Sequence, residues 1–221
     1  MSVDINQLKK ILSELKEHNA TLVAVSKKKS VEEIKQVYDA GHKIFGENYV
    51  QELKGKYESL PKDIQWHFIG HLQTNKVKVI APFVSLIQSV DSFKLLKEIN
   101  KEGEKNDRII NCLLQIHIAQ EETKFGLSFE EAEEILKSSE VKSMKNISIK
   151  GLMGMASLTN EQGTIKNEFN SLKKFFDSIK SEIRNPKSKI LSMGMTSDNK
   201  LALSEGSTMV RIGSAIFGER K

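Results

Sequence analysis

Hydrophobic residues along the chain follow two spacings. In some segments they recur every three to four positions, and between these segments lie short apolar runs rich in β-branched residues. The first spacing is typical of amphipathic helices and the second of buried strands. The segment 4–17 shows the first spacing clearly, so we predict a helix at the start of the chain.

Eight apolar runs have the length and composition of buried strands. They lie at about 21–26, 43–45, 65–69, 84–88, 109–118, 147–153, 189–193 and 208–212. The intervening helices are predicted at about 30–41, 49–59, 72–80, 92–103, 128–139, 161–183 and 198–204. Strands that alternate with helices indicate parallel βαβ units. Eight such units predict an α/β fold, a (β/α)₈ TIM barrel with an extra N-terminal helix.

A doubly wound open sheet is the alternative fold. It would be favoured by a Gly-x-Gly-x-x-Gly turn after the first strand, and the sequence has none there. Only three prolines and thirteen glycines leave little room for a long flexible linker. We therefore expect one domain over residues 1–221, taken up entirely by the barrel.

Composition points to a cytoplasmic protein. The chain is 38% hydrophobic and 29% charged, which is typical of globular domains. No apolar run approaches the roughly 20 residues that span a bilayer, and the polar N-terminus does not resemble a secretory signal. The single cysteine, Cys112, cannot form an internal disulfide and lies in an apolar run, where we expect it in the core.

The net charge argues against a nucleic-acid partner. It is +5, from 34 basic and 29 acidic residues that are spread along the chain. No basic run is interleaved with aromatic residues, as nucleic-acid-binding surfaces require. Neither nucleic acid nor membrane is expected as a partner.

The first strand ends in three lysines. One interpretation is that the strand reaches the surface there and that all three are solvated. The other is that Lys27 has a partner or a chemical role, since a lysine at the end of a buried strand is costly. Strand alternation places Val23, Val25 and Lys27 on one face, and leaves Lys28 and Lys29 as solvated residues.

The loops after the seventh and eighth strands contain small residues suited to a phosphate. Barrels often bind phosphate there, at the carboxyl ends of the strands. Ser192 and Gly194 lie in one loop and Gly213 and Ser214 in the other. Glycine lets the backbone approach an anion and serine adds a donor. The alternative is that these glycines only make tight turns.

Arg211 lies inside an apolar strand and requires an acceptor for its charge. A structural carboxylate is the usual partner, and a ligand is the other possibility. A lysine, a phosphate cradle and an arginine at one barrel mouth suggest a phosphorylated aldehyde held as a Schiff base. Pyridoxal 5′-phosphate (PLP) would meet each part, with Lys27 on the aldehyde and Arg211 on the pyridine nitrogen.

A metal site is not expected. His67 and His71 have a spacing that would suit a helix, but a strand end and Gly70 lie between them. No carboxylate follows closely that could complete a ligand set.

Six motifs resemble the pyridoxal phosphate homeostasis protein family, in order and over nearly the whole chain. They lie at 24–27, 45–52, 66–73, 151–153, 191–195 and 206–218 and read AVSK, FGENYVQE, WHFIGHLQ, GLM, LSMGM and GSTMVRIGSAIFG. The resemblance implies a fold-type III PLP-binding barrel, similar to the alanine racemase N-terminal domain but without the second domain of the racemases. One departure is Thr196, where a serine is expected, and threonine keeps the hydroxyl.

The resemblance also implies the cofactor-binding residues. They are Lys27, Asn48, His67, Ser192, Met193, Gly194, Arg211, Gly213 and Ser214. Lys27 would carry PLP covalently and Arg211 would contact the pyridine nitrogen. Ser192, Gly213 and Ser214 would hold the phosphate, with Met193 and Gly194 beside them. Asn48 and His67 would line the pocket.

The implied function is binding and supply of PLP, a form of vitamin B6, in PLP homeostasis. The family is regarded as cytoplasmic and largely monomeric, with no established enzyme activity, so no catalytic residues are assigned. Its partners would be PLP and, transiently, PLP-dependent apoenzymes. An arginine beside the pyridine nitrogen disfavours its protonation, which weakens carbanion chemistry. A two-base racemase also needs an acid–base group on the other cofactor face, which related enzymes take from their second domain.

Two enzymatic alternatives stay open. One is a PLP-dependent amino-acid racemase-like enzyme of low activity. The other is a Schiff-base aldolase that acts on a sugar phosphate without a bound cofactor.

Overall fold

Eight parallel strands close into a barrel. The structure is a computed structural model that describes residues 3–121, 125–179, 181–183 and 189–218. Within these ranges the strands are β1 (Thr21–Val25), β2 (Ile44–Glu47), β3 (Gln65–Phe68), β4 (Leu86–Val90), β5 (Ile110–Ile116), β6 (Ile147–Gly154), β7 (Ile190–Ser192) and β8 (Met209–Ile212). They pair in chain order, and β8 returns to β1. The predicted (β/α)₈ barrel is confirmed, and the open-sheet alternative is excluded.

Helices follow the strands and surround the barrel. They are α1 (Ile5–Glu17), α2 (Val31–Asp39), α3 (Val50–Ser59), α4 (Val77–Ile80), α5 (Phe93–Lys105), α6 (Phe129–Lys137), α7 (Ser139–Ser143), α8 (Gln162–Ser178), α9 (Asn199–Ser204) and α10 (Ser214–Phe217). A 3₁₀ turn, Thr74–Lys76, precedes α4. The predicted extra helix before β1 is α1. None of the helices in these ranges is both long and apolar enough to cross a bilayer.

Local sequence signals start several helices where they were predicted. The side chains of Ser30 and Ser128 each accept a hydrogen bond from the backbone N–H of a glutamate three residues on. The carboxylate of that glutamate in turn accepts from the serine backbone N–H. These capping boxes satisfy N–H groups that have no partner within the helix. Ser92 caps α5 through the backbone N–H of Leu95.

Several elements differ from the predictions, and α10 is a short helix that was not predicted. Strand β4 begins two residues later than predicted, and the helix predicted over 72–80 is divided into a 3₁₀ turn and the single turn of α4. Helix α8 ends at Ser178 rather than 183, and α7 was not predicted. Pro186, which as a helix-breaking residue is expected to end the segment predicted as a helix over 161–183, lies outside the described residues.

The strands are buried on both faces, as parallel barrels require. One face packs against the helices in a large apolar core, in which Cys112 is fully buried and burial raises the pKa of its thiol. The other face fills the barrel with a second apolar cluster, formed by Val23, Leu86, Leu113, Met153 and Met209. This interior cluster forms a floor beneath the carboxyl ends of the strands.

Candidate functional site

A layer of buried polar residues lies at the carboxyl side of the interior apolar cluster. Strand register places Arg211 beside Val23, Ser192 beside Met153 and Gln115 beside the same methionine, so all three point into the barrel. His67 and Gln88 lie on the same interior face of β3 and β4. Each of these polar residues is no more than 5% exposed.

Arg211 is the charged member of this layer. One guanidinium nitrogen donates to the backbone oxygen of Ser192 at 2.9 Å and to its Oγ at 2.6 Å, and the other donates to the backbone oxygen of Gly154 at 2.9 Å. Among the described residues no carboxylate lies within ion-pair distance of it. Burial lowers the pKa of Arg211 to about 10, partly offset by Asp198, so the group remains charged at neutral pH. The structural carboxylate considered as its partner is therefore not present in the described part of the chain.

A chain of hydrogen bonds connects Arg211 to His67 across the barrel interior. Ser192 Oγ donates to Gln88 Oε1 at 2.7 Å, and Gln88 Nε2 lies 3.0 Å from His67 Nδ1. We call these four residues the Arg211 network. Burial lowers the pKa of His67 to about 3, with a smaller contribution from His42, so the imidazole is neutral. Because Nδ1 accepts from the Gln88 amide, the ring proton lies on Nε2.

The loops after β7 and β8 meet above this network, as the sequence predicted. Backbone N–H groups of Arg211 and Met193 donate to the carbonyl oxygens of Gly194 and Met209, respectively. Gly213 N donates to Thr196 Oγ1 at 3.4 Å, so the hydroxyl kept by threonine ties the two loops together. The pairing brings backbone groups of both loops to the same edge of the barrel mouth.

Glycine is required at Gly194. Its φ is +95°, in the left-handed region that other residues rarely adopt. A Cβ at this position would also lie 2.5 Å from the Cβ of Ala202 in α9. Gly213 approaches strand β1, because a Cβ there would lie 3.0 Å from the backbone oxygen of Val25. The loop after β8 is thereby placed directly against the end of the strand that leads to Lys27.

Lys27 lies two residues beyond the last residue of β1, in a turn. The backbone N–H of Lys29 donates to the oxygen of Ser26 at 3.0 Å and closes this turn. Val23, which strand alternation placed on the same face as Lys27, points into the barrel. Lys27 is partly buried, and Lys28 is exposed with a positive φ of 60°.

Lys29 is not solvated, which corrects the prediction for this residue. Its side chain is 11% exposed, and its ammonium donates to the oxygen of Phe217 at 2.7 Å and of Gly218 at 3.4 Å. These carbonyls end α10, where a cation is favourable. Lys29 therefore ties the turn of Lys27 to the short helix that follows the β8 loop.

The remaining predicted residues occupy different positions. Asn48 follows β2, and its Oδ1 is buried without a hydrogen-bond partner among the described residues. Met193 packs into the core, and its backbone N–H and oxygen bond with Met209 and Ser207. Ser214 is exposed at the start of α10. Ser192 is fully buried, and its hydroxyl bonds within the Arg211 network.

The histidines have separate partners. His71 Nδ1 lies 2.9 Å from Asp91 Oδ2, and its ring stacks on Phe125. His67 instead bonds with Gln88 inside the barrel. The group of residues that sequence reasoning missed comprises Gln88 and Gln115, the latter donating to the backbone oxygen of Phe125 at 2.6 Å.

Known proteins are similar to this chain in both sequence and fold. The family model of the alanine racemase N-terminal domain matches residues 3–221. A pyridoxal phosphate homeostasis protein of Schizosaccharomyces pombe is 41% identical over 205 residues, which cover 91% of this chain and 85% of that protein. One from Aquifex aeolicus is 39% identical over 206 residues, covering 93% and 89%.

Solved structures agree. PipY of Synechococcus elongatus, solved without PLP, superposes with a TM-score of 0.90 at 30% identity and covers 97% of this chain and 99% of its own. Its PLP-bound form gives a TM-score of 0.86. Alanine racemase of Streptomyces lavendulae, at 14% identity and a TM-score of 0.77, shares the fold, and 58% of that chain is covered. This chain therefore belongs to the alanine racemase N-terminal domain family and, within it, to the pyridoxal phosphate homeostasis proteins.

Proposed function

We propose that this protein binds PLP at the carboxyl end of its barrel, holds it as a Schiff base on Lys27, and supplies or buffers it without catalytic turnover. When bound, PLP supplies an aldehyde that condenses with an amine and a ring that can withdraw electrons. The related pyridoxal phosphate homeostasis proteins and the PLP-bound form of PipY support this choice of ligand.

The observation that carries the proposal is the buried Arg211. Its guanidinium is held by carbonyl and hydroxyl oxygens, without a carboxylate in the described part of the chain to balance its charge. Burying such a charge costs free energy that a structural role alone does not repay. A ligand with a lone pair at this position, such as a pyridine nitrogen, gives the charge an acceptor. The cation in turn disfavours protonation of that nitrogen, which supports storage over carbanion chemistry.

The phosphate would be held by the two loops that meet above the Arg211 network. Gly194 allows the positive φ, and Gly213 the close approach to β1, that bring the backbone of both loops to this edge, and Ser214 presents a hydroxyl at the start of α10. Met193 would lie beside the phosphate and support the loop, since its backbone N–H and oxygen already bond with Met209 and Ser207. Since the Ser192 hydroxyl already bonds with Arg211 and Gln88, we propose that Ser192 contributes by orienting the guanidinium.

Asn48 and His67 would complete the pocket. The buried Oδ1 of Asn48 has no partner among the described residues, which fits an amide that contacts a ligand. His67 is neutral and offers an Nε2 proton as a fixed donor. We further propose that the chain acts in the cytoplasm as a monomer with one barrel domain over 1–221, and that PLP-dependent apoenzymes are its transient partners.

Uptake of PLP tests the proposal. The purified protein is incubated with PLP, reduced with borohydride, digested and analysed by mass spectrometry. We expect a yellow protein that is bleached by the reduction, with the cofactor mass on the peptide that contains Lys27 and on no peptide of the Lys27→Ala variant. A colourless wild-type protein that takes up no PLP would contradict the proposal and favour the cofactor-free aldolase.

Proton exchange separates a carrier from a racemase. The PLP-loaded protein is incubated with individual amino acids in deuterated water, and α-proton exchange is followed by NMR. We expect exchange no faster than with the same concentration of free PLP. Exchange at enzymatic turnover that is lost in Lys27→Ala would establish the racemase alternative instead.

A further inference from the structure

Two peptide groups flank Lys27, and side chains of α3 hold both of them. The peptide before Lys27 presents the oxygen of Ser26, which accepts from Lys56 Nζ at 2.7 Å. The peptide after it presents the N–H of Lys28, which donates to Glu52 Oε1 at 2.5 Å. Since these peptides set the backbone angles of Lys27, the two contacts fix the origin of its side chain.

The two holding side chains also bond to each other. Lys56 Nζ lies 2.6 Å from Glu52 Oε1 and 2.7 Å from Glu47 Oε1. With the oxygen of Ser26, these acceptors match the three donors of an ammonium group. Glu47 Oε1 also accepts from Ser26 Oγ at 2.5 Å. We call Ser26, Glu47, Glu52 and Lys56 the Lys56 clamp.

The clamp is buried and holds a strained residue. The side chains of Glu47 and Lys56 are 0% and 7% exposed, and that of Glu52 is 23% exposed. Lys28 has a φ of +60°, in the left-handed region that L-residues other than glycine rarely adopt. Because the N–H of this residue donates to a side chain of a neighbouring helix, we infer that packing against that helix imposes the shape of the turn.

We propose that Glu52 and Lys56 are positioning residues for the amine of Lys27, and that they set its reach toward the aldehyde of the ligand. This inference rests on the proposed function, because it concerns the rate and extent of covalent capture at the same site. Neither residue needs to touch PLP, since both act through the backbone of the turn. A small displacement of a reacting group slows a reaction strongly even when the ligand is still bound.

The test compares two ligands on four proteins. With PLP, the rate at which the yellow adduct appears measures covalent capture by Lys27. 4′-Deoxypyridoxine phosphate lacks the aldehyde, so its affinity measures noncovalent binding in the pocket alone. The variants are Glu52→Ala, which removes the acceptor of the Lys28 N–H, and Glu52→Gln, which keeps an acceptor oxygen. The control is Glu58→Ala on the same helix, whose exposed side chain pairs with Lys54 at 3.7 Å.

We expect Glu52→Ala to slow capture by about tenfold or more, while the affinity for the deoxy ligand changes by less than about twofold. Glu52→Gln is expected to restore most of the rate, and Glu58→Ala to match the wild type. The proposal would be overturned if Glu52→Ala captured PLP at the wild-type rate, or if it lost affinity for both ligands equally. It would also be overturned if Glu52→Gln failed to restore the rate. Wild-type protein that binds neither ligand would instead contradict the proposed function, and the inference would fall with it.

Discussion

Two buried polar groups lie at the carboxyl ends of the strands, and they balance charge in opposite ways. The Lys56 clamp, outside the barrel wall between β2 and α3, pairs its one cation with two carboxylates, Glu47 and Glu52. The Arg211 network, inside the barrel, bonds its cation to two carbonyls and a hydroxyl, and the hydroxyl leads on to an amide and a neutral histidine. Without a ligand, the clamp gives each donor of its ammonium group an acceptor, although Glu47 Oε2 has no hydrogen-bond partner among the described residues. The network instead has a charge that no described carboxylate balances.

This difference in charge balance indicates which of the two regions is suited to bind a ligand. A cation that is paired with carboxylates of the same chain stabilises one conformation of that chain, and here that conformation is the turn of Lys27. An unbalanced buried cation costs stability and is retained where a ligand uses it. Lys29 supports the same turn from the other side, since its ammonium bonds to the end of α10 and lies 3.6 Å from Glu33 of α2.

The largest expected effect follows from breaking the clamp. Lys56→Met leaves Glu47 buried without its cation, and we expect the free energy of unfolding to fall by about 3–5 kcal/mol. Chemical denaturation of wild type and variant measures the loss. The double variant Glu47→Gln/Lys56→Met removes both buried charges and should recover a large part of it. A double variant no more stable than Lys56→Met would show that the pair does not act as a unit.

Removing the interior cation should affect ligand affinity more than stability. Arg211→Met abolishes a buried charge but leaves the oxygens of Ser192 and Gly154 without their donor, so its stability loss should be smaller than that of Lys56→Met. Hydrogen bonds from charged groups contribute about 1.5–3 kcal/mol, which corresponds to a roughly 10- to 100-fold loss of affinity for PLP.

Titration calorimetry with PLP checks this expectation for Arg211→Met. Arg211→Lys keeps a charge but not the planar fork, and its affinity should be intermediate. Unchanged affinity in Arg211→Met would remove the main support for the ligand site.

The two regions should respond to pH with opposite sign. Folding lowers the pKa of His67 from 6.5 to about 3, so the unfolded chain binds the extra proton and stability falls as pH decreases below about 6.5. Burial raises the pKa of Glu47 from 4.5, opposed by Lys56, so the folded chain keeps that proton longer. The Glu47 contribution therefore falls as pH rises above 4.5.

Unfolding free energies measured between pH 4.5 and 7 test this contrast. One proton corresponds to a slope of at most about 1.4 kcal/mol per pH unit. His67→Asn, which keeps an acceptor for Gln88, should flatten the rise of stability with pH, and Glu47→Gln should steepen it. Curves parallel to the wild type would contradict both assignments.

The barrel could be predicted because its signals are local. Strand runs, capping boxes and the alternation of helices and strands are each encoded in a few neighbouring residues, such as Ser30 with Glu33 and Ser128 with Glu131. The loops that meet through Gly213 and Thr196 followed from the general behaviour of barrels. The predicted boundaries were wrong where tertiary packing determines how an element begins or ends, as at the 3₁₀ turn before α4.

The partners of charged residues could not be predicted. Gln88 is a polar residue inside an apolar strand, the same signal that identified Arg211, and attention to it would have found the network. Lys29 and Lys56 gave no such signal, because lysines are usually solvated and their acceptors are carbonyls and carboxylates distant in sequence. Their burial depends on how α3 and α10 pack against the end of β1.

Transfer of PLP to an apoenzyme tests the central claim most directly. The loaded protein is mixed with a PLP-dependent apoenzyme in the presence of a phosphatase that destroys free PLP, and the recovered enzyme activity is followed over time. We predict that activity returns with wild-type protein, and that Lys27→Ala incubated with the same PLP gives none above a protein-free control. Equal recovery with Lys27→Ala, or no recovery with the wild type, would contradict the account.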